Sequence, residues 1–289
     1  MRRILVISDV HSNLPALRAV LEDARKQGEY TDKYCLGDVV GYGPFPNECI
    51  AEVKHNGFKT KRGNHDKAVL DGNTRGFNGM AEWAAQYNQR ALTEDSMQFL
   101  ESLDRSPSFD PEVGFVHASF SRILGGGFED MYIEDHIDAS LAMIAMNYRN
   151  SRKVVQVPIG VVGHTHIPMH ARGEFFQSGG ETYFSRDPIS RKFNFSDYTE
   201  DGTIKIDLDM TMQGKIKRKQ LMSKHILNFG SVGQPRHGSP NACYGILTID
   251  GYKAFAEFRQ VPYNVAEVQE KMRQEGFPEG LINRLALGK

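Results

Sequence analysis

The chain is poor in cysteine, balanced in charge and without a long apolar run. Each shortage excludes something. Cys35, Cys49 and Cys243 are an odd number without metal-type spacing, which argues against a disulfide scaffold and against thiolate ligation. Free thiols in a reducing compartment account for them. Lys plus Arg number 35 against 36 for Asp plus Glu, a net charge of −1. That balance leaves no basic footprint for a nucleic-acid polymer. The one basic run, Lys215-Ile216-Lys217-Arg218-Lys219, reads as a solvated strand or loop. The apolar start Ile4 to Ile7 is interrupted by Asp9 and His11, too early for a signal peptide. No stretch approaches the ~18 to 20 apolar residues of a membrane span. The expectation is a cytoplasmic globular protein with no membrane partner. Nothing in the sequence sets an oligomeric state.

What the chain does contain is a series of short polar clusters, each just after an apolar run. They are Ser8-Asp9-Val10-His11, Gly37-Asp38, Gly63-Asn64-His65-Asp66, His117 and Gly163-His164-Thr165-His166. Oxygen and nitrogen donors in that number, with no cysteine among them, suit one or two divalent ions such as Mn²⁺, Fe²⁺, Zn²⁺ or Ni²⁺. In hydrolases such ions activate water at neutral pH and polarise a phosphoryl or carbonyl oxygen. Asp9 and His11, like His164 and His166, stand at i and i+2, so alternation past a strand end lets both members face one side. Asp38 offers two carboxylate oxygens, enough to bridge two ions. Taken singly each cluster is weak. An Asp-x-His is commonly a strand-end turn, a lone His a core residue, and a Gly-rich spelling a tight turn.

Strand, polar loop and helix alternate through the first half. Ile4 to Ile7 reads as a buried strand, followed by a helix capped by Ser12 or Asn13 with Pro15 in its first turn. Further strands are expected at Tyr34 to Leu36, Lys59 to Lys61, Gly114 to Val116 and Ile159 to Val162. Helices are expected at Pro46 to Lys54, Met80 to Ala91, Thr93 to Leu103 and Ile133 to Asn147. In open α/β sheets ligands sit beyond the carboxyl ends of the strands, where all five clusters fall. The second half is strand-rich, with pieces at Glu181 to Ser185 and Thr203 to Asp209. A hairpin of Tyr244 to Ile249 with Ala254 to Phe258 follows, then a helix at Val265 to Glu275 and a last helix at the end. No repeat, low-complexity tract or linker divides the chain, so residues 1–289 are expected to form one domain of two packed sheets flanked by helices.

The five clusters, in this order over residues 4 to 166, resemble the signature of the calcineurin-like metallophosphoesterase superfamily. The segment Asn228-Phe229-Gly230-Ser231-Val232-Gly233-Gln234-Pro235-Arg236 resembles that of bacterial members related to diadenosine tetraphosphatases and small phosphodiesterases, with Phe229 where Pro is usual. The resemblance implies an α+β, four-layer α/β/β/α sandwich of two mixed sheets. It also implies two divalent ions, Mn²⁺ foremost, with Fe, Zn, Ni or Mg as alternatives. One ion would take Asp9, His11, Asp38 and His166; the other would take Asp38, Asn64, His117 and His164. A water or hydroxide between them would attack phosphorus in line. His65 would protonate the leaving oxygen, with Asp66 orienting it, and Asn64 and Arg236 would contact substrate.

Protein phosphatases of the superfamily carry an Arg in the block around the bridging Asp. Here that block reads Gly37-Asp38-Val39-Val40-Gly41-Tyr42-Gly43 and lacks it. A doubly charged phosphate without a guanidinium clamp is less well held. The expected substrate is therefore a small phosphodiester or nucleotide-like molecule, preferred over monoesters and phosphoproteins. Arg236 is read evenly as a partial replacement or as a surface ion-pair partner. Tyr42 and Phe45 are candidates for base stacking or for packing. A phosphoprotein phosphatase, or a protein-binding scaffold of the same fold, are the alternative readings; the intact donor set counts against the scaffold.

Overall fold

Along β1 (Arg2–Ile7) alternate side chains enter different cores. Leu5 and Ile7 join Leu17, Val20 and Leu21 of helix α1 (Leu14–Lys26). Ile4 and Val6 join Phe115, Val161 and Leu227 of a second sheet. A strand buried on both faces needs the continuous apolar run found there. The structure, a computed structural model, describes residues 1–121, 133, 138, 142–143, 145–150, 153–178, 181–192, 203–209, 215–216, 219–251 and 253–289.

The first sheet runs β11 (Thr203–Asp209), β15 (Lys253–Val261), β14 (Ala242–Asp250), β1, β2 (Asp32–Cys35), β3 (Lys59–Thr60). The second runs β10 (Glu181–Lys192), β9 (Met169–Ser178), β13 (Lys219–Asn228), β8 (Ile159–Val162), β5 (Val113–Phe115), β4 (Ser108–Phe109), with β12 (Lys215–Ile216) also on β13. A separate ribbon pairs β6 (Asn147–Asn150) with β7 (Lys153–Gln156). Both sheets are mixed. The trio β1, β2 and β3 is parallel, and so is the trio β5, β8 and β13, while the flanking pairs are antiparallel. The sheets pack face to face, with Tyr34 of β2 stacked on Phe115 of β5 at 3.7 Å.

Helices α1 and α2 (Pro46–His55) cover the outer face of the first sheet through Val20, Cys49, Ile50 and Val53. After β3 come α3 (Asn64–Asp71), α4 (Gly79–Ala91) and α5 (Glu94–Ser102); α6 (Val265–Gln274) and α7 (Glu279–Leu287) follow β15. On the outer face of the second sheet, Ile133, Ala142, Met143 and Met146 pack on Val162, Met169 and Ile226. This is the expected arrangement of two mixed sheets flanked by helices. Asn13 caps α1, its side chain accepting the Ala16 N–H at 3.2 Å, and Pro15 occupies the first turn. The β14–β15 hairpin and the two last helices form where the pattern places them. The helix expected over Ile133 to Asn147 lies largely outside the described residues, as do Arg218 and Lys217 of the basic run; Asn147 itself opens β6.

Phe229, in the place where Pro was expected, is buried between the sheets with its ring 4.7 Å from that of Phe258. Gly245 makes room for it, since a Cβ there would strike the ring.

Candidate metal centre

The carboxyl ends of the two parallel trios meet, and the loops leaving them carry every expected ligand. Asp9 and His11 follow β1, Asp38 follows β2, and Asn64 opens α3 just after β3. His117 follows β5, and His164 and His166 follow β8. Asp9, His11, Asp38, His117, His164 and His166 are all buried. Among the described residues, the non-glycine positions with positive φ are Asp9, His11, Ser12, Asp38, Tyr42, His164 and His166. Strain of that kind costs ~1 to 3 kcal/mol per residue and persists where the surroundings over-determine it. Its confinement to this one place marks the loops as shaped for something other than stability.

The donor atoms fall into two groups sharing Asp38. Asp9, His11, Asp38 and His166 bring one ligand atom each within 4.8 Å of one another, and Asp38, His117 and His164 do the same. Asp38 Oδ2 lies 3.7 Å from His11 Nε2 and 3.4 Å from His117 Nε2, between the groups, and no hydrogen bond satisfies it. Asn64 Oδ1 stands 3.2 Å from His117 Nε2, in reach of the second group.

The ring orientations fit metal ligation. His11 Nδ1 lies 3.1 Å from the Val40 carbonyl, His117 Nδ1 3.1 Å from that of Leu36, and His166 Nδ1 2.7 Å from that of Gln234. A carbonyl only accepts, so each Nδ1 carries a proton, and whenever the ring is neutral its Nε2 lone pair faces the site. His11 Nε2 and His166 Nε2 then face each other at 3.0 Å, two lone pairs that a shared cation would reconcile.

The electrostatics agree. Burial lowers the proton affinity of His11 and His166, and carries that of His164 down to about 3. Burial acts on His117 in the same direction, but the Asp38 carboxylate outweighs it and holds His117 up to about 9. Burial raises Asp9 and Asp38, yet the neighbouring imidazoles, His166 for Asp9 and His117 for Asp38, keep both below the ordinary carboxylate range. The buried carboxylates thus recruit a proton on His117 as their positive charge. A divalent ion supplies more of it and requires that ring neutral. Donors, the orphaned Asp38 oxygen and charge all fit one cation per group.

His65 and Asp66 come close to the centre but not to each other as expected. Asp66 Oδ2 accepts the N–H groups of Asp38 (2.8 Å) and Gly63 (2.9 Å), and Oδ1 accepts that of Val40 (3.1 Å). Both oxygens are committed to backbone, His65 Nδ1 has no hydrogen-bond partner, and no Asp66–His65 hydrogen bond forms. The His65 ring is instead held among those of Tyr42 (4.6 Å), Phe77 (4.5 Å) and His11 (4.9 Å). Burial, helped by Arg236 and neighbouring imidazoles and opposed by Asp38, pushes its pKa down to about 4.

A cavity of about 410 Å³ opens beside Asn64, His65 and His164, and is bounded on the far side by Tyr42, Phe77 and Arg75. Ligand pockets typically begin near ~300 Å³, so it suits a small organic phosphoester. Phe45, by contrast, packs against the core beside α1 and takes no part.

Beyond the ligand clusters, the site draws on the Asn228–Arg236 segment and on two residues that carried no sequence signal, Asn88 and Arg284. Asn88 of α4 is fully buried; it accepts from Ser12 Oγ (2.6 Å) and Gly41 N–H (2.8 Å) and donates to Gly43 O (3.0 Å), fixing the turn that bears Tyr42. Asn228 donates to Gly163 O (2.7 Å) and Thr165 Oγ1 (2.8 Å) beneath the His164–His166 loop. Ser231 Oγ and Gly233 N–H both donate to Asp9 O, at 2.8 and 2.9 Å. Arg236 is near the centre, its N–H donating to His166 O (3.3 Å) and its Nη2 to Tyr42 Oη (3.3 Å). Arg284, which no motif pointed to, lies over the same Tyr42 ring. Of the two readings of Arg236, the structure shows no surface ion pair among the described residues and sets the side chain on Tyr42 beside the centre.

Comparison with known proteins gives a consistent result. Residues 2–180 match the family described as calcineurin-like phosphoesterase. An uncharacterised protein of Methanocaldococcus jannaschii is 30% identical over 294 residues, covering 99% of this chain and 98% of its own. A crystal structure of a metallophosphoesterase from Sphaerobacter thermophilus superposes with a TM-score of 0.70 at 33% identity, covering 99% of this chain and all of that one. A hypothetical protein of Pyrococcus horikoshii shares the fold, with a TM-score of 0.67 at 18% identity over 100% of this chain and 99% of its own.

Proposed function

We propose that this chain, which belongs to the calcineurin-like phosphoesterase family, hydrolyses a P–O bond of a small phosphodiester or nucleotide-like substrate at a two-ion centre. The observation that carries the reading is Asp38 Oδ2, orphaned between two groups of inward-facing donors. Asp9, His11, Asp38 and His166 would hold one ion, and Asp38, Asn64, His117 and His164 the other. Mn²⁺ is the first choice, since oxygen and imidazole donors without thiolate suit it. When bound, such a pair supplies Lewis acidity and lowers the pKa of water.

The chain's own groups supply the rest. The leaving oxygen of a phosphoester at the centre would face the cavity walled by His65, Tyr42 and Phe77, whose volume of about 410 Å³ has room for an organic leaving group. His65 is neutral until an anionic substrate arrives beside it, and the anion then favours the imidazolium form. That proton passes to the leaving oxygen. Asp66 serves as a positioning residue: by gripping the amides of Asp38, Val40 and Gly63 it holds the bridging carboxylate and the turn into Asn64 in one frame. No helix among the described residues is long and apolar enough to cross a membrane.

The test is turnover by protein reconstituted with Mn²⁺, screened over bis-p-nitrophenyl phosphate, p-nitrophenyl phosphate, cyclic nucleotides and dinucleoside polyphosphates. Metal-dependent hydrolysis of at least one of them, abolished by chelation, is expected. No hydrolysis of any with the ions bound would favour the scaffold reading.

A further inference from the structure

Two arginines meet at one phenol. Arg236 leaves the loop after β13 and donates from Nη2 to Tyr42 Oη at 3.3 Å, its Cζ 6.0 Å from the ring centroid. Arg284 comes from α7, nearly fifty residues later; its Cζ is 5.5 Å from the same centroid and it shares the same hydroxyl. Arg284 Nε donates at 2.6 Å to the O of Lys289, the last residue, an oxygen of the chain-end carboxylate.

Like charges brought together in a half-buried place repel, and the cost needs an offset. Among the described residues, no side-chain carboxylate pairs with either guanidinium, and only the chain-end oxygen of Lys289 meets Arg284, whereas Arg2 has Asp32 and Asp110 and Arg259 has Asp23. Arg236 Nε is buried and has no hydrogen-bond partner. Burial, and the charge of Arg236, weaken the hold of Arg284 on its proton. The two guanidiniums therefore keep an excess of positive charge, Arg236 having no anionic partner among the described residues.

That charge borders the metal centre. The Tyr42 ring touches those of His11 (4.7 Å) and His65 (4.6 Å), and the Arg236 backbone N–H donates to His166 O at 3.3 Å. The cavity for the leaving group opens on the side of Asn64 and His164, whereas Arg236 stands by His166. Guanidinium forks bind phosphate oxygens in pairs, and two forks match a group carrying two charges better than one.

We propose that Arg236 and Arg284 form a two-armed clamp, keyed by Tyr42, for the non-bridging oxygens of a dianionic phosphoryl group. The clamp rests on the phosphoesterase reading above and narrows it. Of the substrates left open there, it selects those ending in a dianionic phosphate, such as nucleotides and other monoesters, over diester monoanions. Arg284 becomes a substrate-binding residue, brought by the C-terminal helix to a centre built from the first two-thirds of the chain.

The experiment uses the full chain reconstituted with Mn²⁺ and the variants Arg284→Gln, Arg284→Lys and Arg236→Gln. Orthophosphate binding is measured by calorimetry, independently of turnover. The kcat/KM values for p-nitrophenyl phosphate and bis-p-nitrophenyl phosphate are measured alongside. The clamp predicts that each Gln variant binds orthophosphate at least tenfold more weakly, and that Arg284→Lys, which keeps the charge but loses the fork, falls in between. It also predicts that the monoester value drops at least tenfold more than the diester value in Arg284→Gln. Unchanged orthophosphate affinity in both well-folded Gln variants, or equal losses on both esters, overturns it. If Arg284→Gln does not fold, Arg284→Lys decides, and wild-type phosphate affinity in that variant overturns the clamp. Orthophosphate binding that needs both arginines in a protein that turns over neither ester would keep the clamp and sink the phosphoesterase reading. Turnover with phosphate affinity indifferent to both would do the reverse.

Discussion

Asp66 holds Asp38 by the main chain, its Oδ2 accepting the Asp38 N–H at 2.8 Å, while Asp38 Oδ1 accepts the N–H of His65 at 2.8 Å. Two buried acids are thus interlocked through amides on each other's loops, without a contact between carboxylates. The packing leaves no slack: a Cβ on Gly63 would strike the Asp38 side chain, and one on Gly37 would come 2.5 Å from Gly63 N. Burial and the charge of Asp38 push the Asp66 pKa up to about 7, against the pull of the amides it accepts from.

Removing Asp66 should therefore cost stability and metal affinity together. Asp66→Ala strands the buried N–H groups of Asp38, Val40 and Gly63, each worth ~1 to 3 kcal/mol when unsatisfied. Urea unfolding should show a loss of at least ~3 kcal/mol, and ion affinity should fall by the ~10- to 100-fold typical of a lost supporting contact. A variant of wild-type stability and ion affinity, impaired in kcat alone, would give Asp66 a direct role in the chemistry.

Asp38→Asn removes the charge shared by both donor groups while leaving an acceptor for the His65 N–H. We expect activity to vanish with little change in the far-UV circular dichroism spectrum. Near-wild-type turnover at saturating metal would show that Asp38 does not bridge.

His65→Ala should mainly lower kcat, by the ~10² to 10⁴ of a lost general acid. The loss should shrink for p-nitrophenolate esters, whose leaving group needs no proton, and grow for alkyl esters. Equal losses on good and poor leaving groups would assign His65 to shaping the cavity it walls.

Lys224 supplies a pH test away from the centre. It is 1% exposed on β13, and its Nζ donates to Met143 O (2.7 Å) and Met146 O (2.9 Å). Burial lowers its pKa from 10.5 to about 7. Below the folded value both states are protonated and the fold bears the full cost of the buried charge. As pH rises toward the unfolded value, the unfolded chain binds more protons than the folded one and the cost fades. Lys224→Met should therefore compare more favourably with wild type at pH 6 than at pH 10, by about 4 kcal/mol. A difference independent of pH would mean that the ammonium is as well solvated inside as outside.

The candidate ligands were legible as a set because each sits at the end of a short apolar strand, and both features are local. Asp9, His11, Asp38, Asn64, His117, His164 and His166 all lie where strand ends place them. The role of Asp66 was misread because adjacency to His65 suggested a side-chain pair, whereas in the first turn of α3 it reaches back to amides at Gly63 and across to Asp38 and Val40. Arg284 and Asn88 were illegible for a different reason. Each occupies an ordinary amphipathic helix, and only the tertiary packing of α7 and α4 against the Tyr42 turn turns them toward the centre. Long-range delivery of a side chain leaves no trace in local spacing.

The central claim is that this fold holds two divalent ions on one shared carboxylate. Anomalous scattering from crystals of protein loaded with Mn²⁺, with elemental analysis of the same sample, tests it most directly. The account predicts two peaks ~3.5 to 4 Å apart, one among Asp9, His11, Asp38 and His166 and one among Asp38, Asn64, His117 and His164, with two ions per chain by analysis. No peak at these residues, or a single ion at saturation with Asp38 ligating it alone, would contradict it.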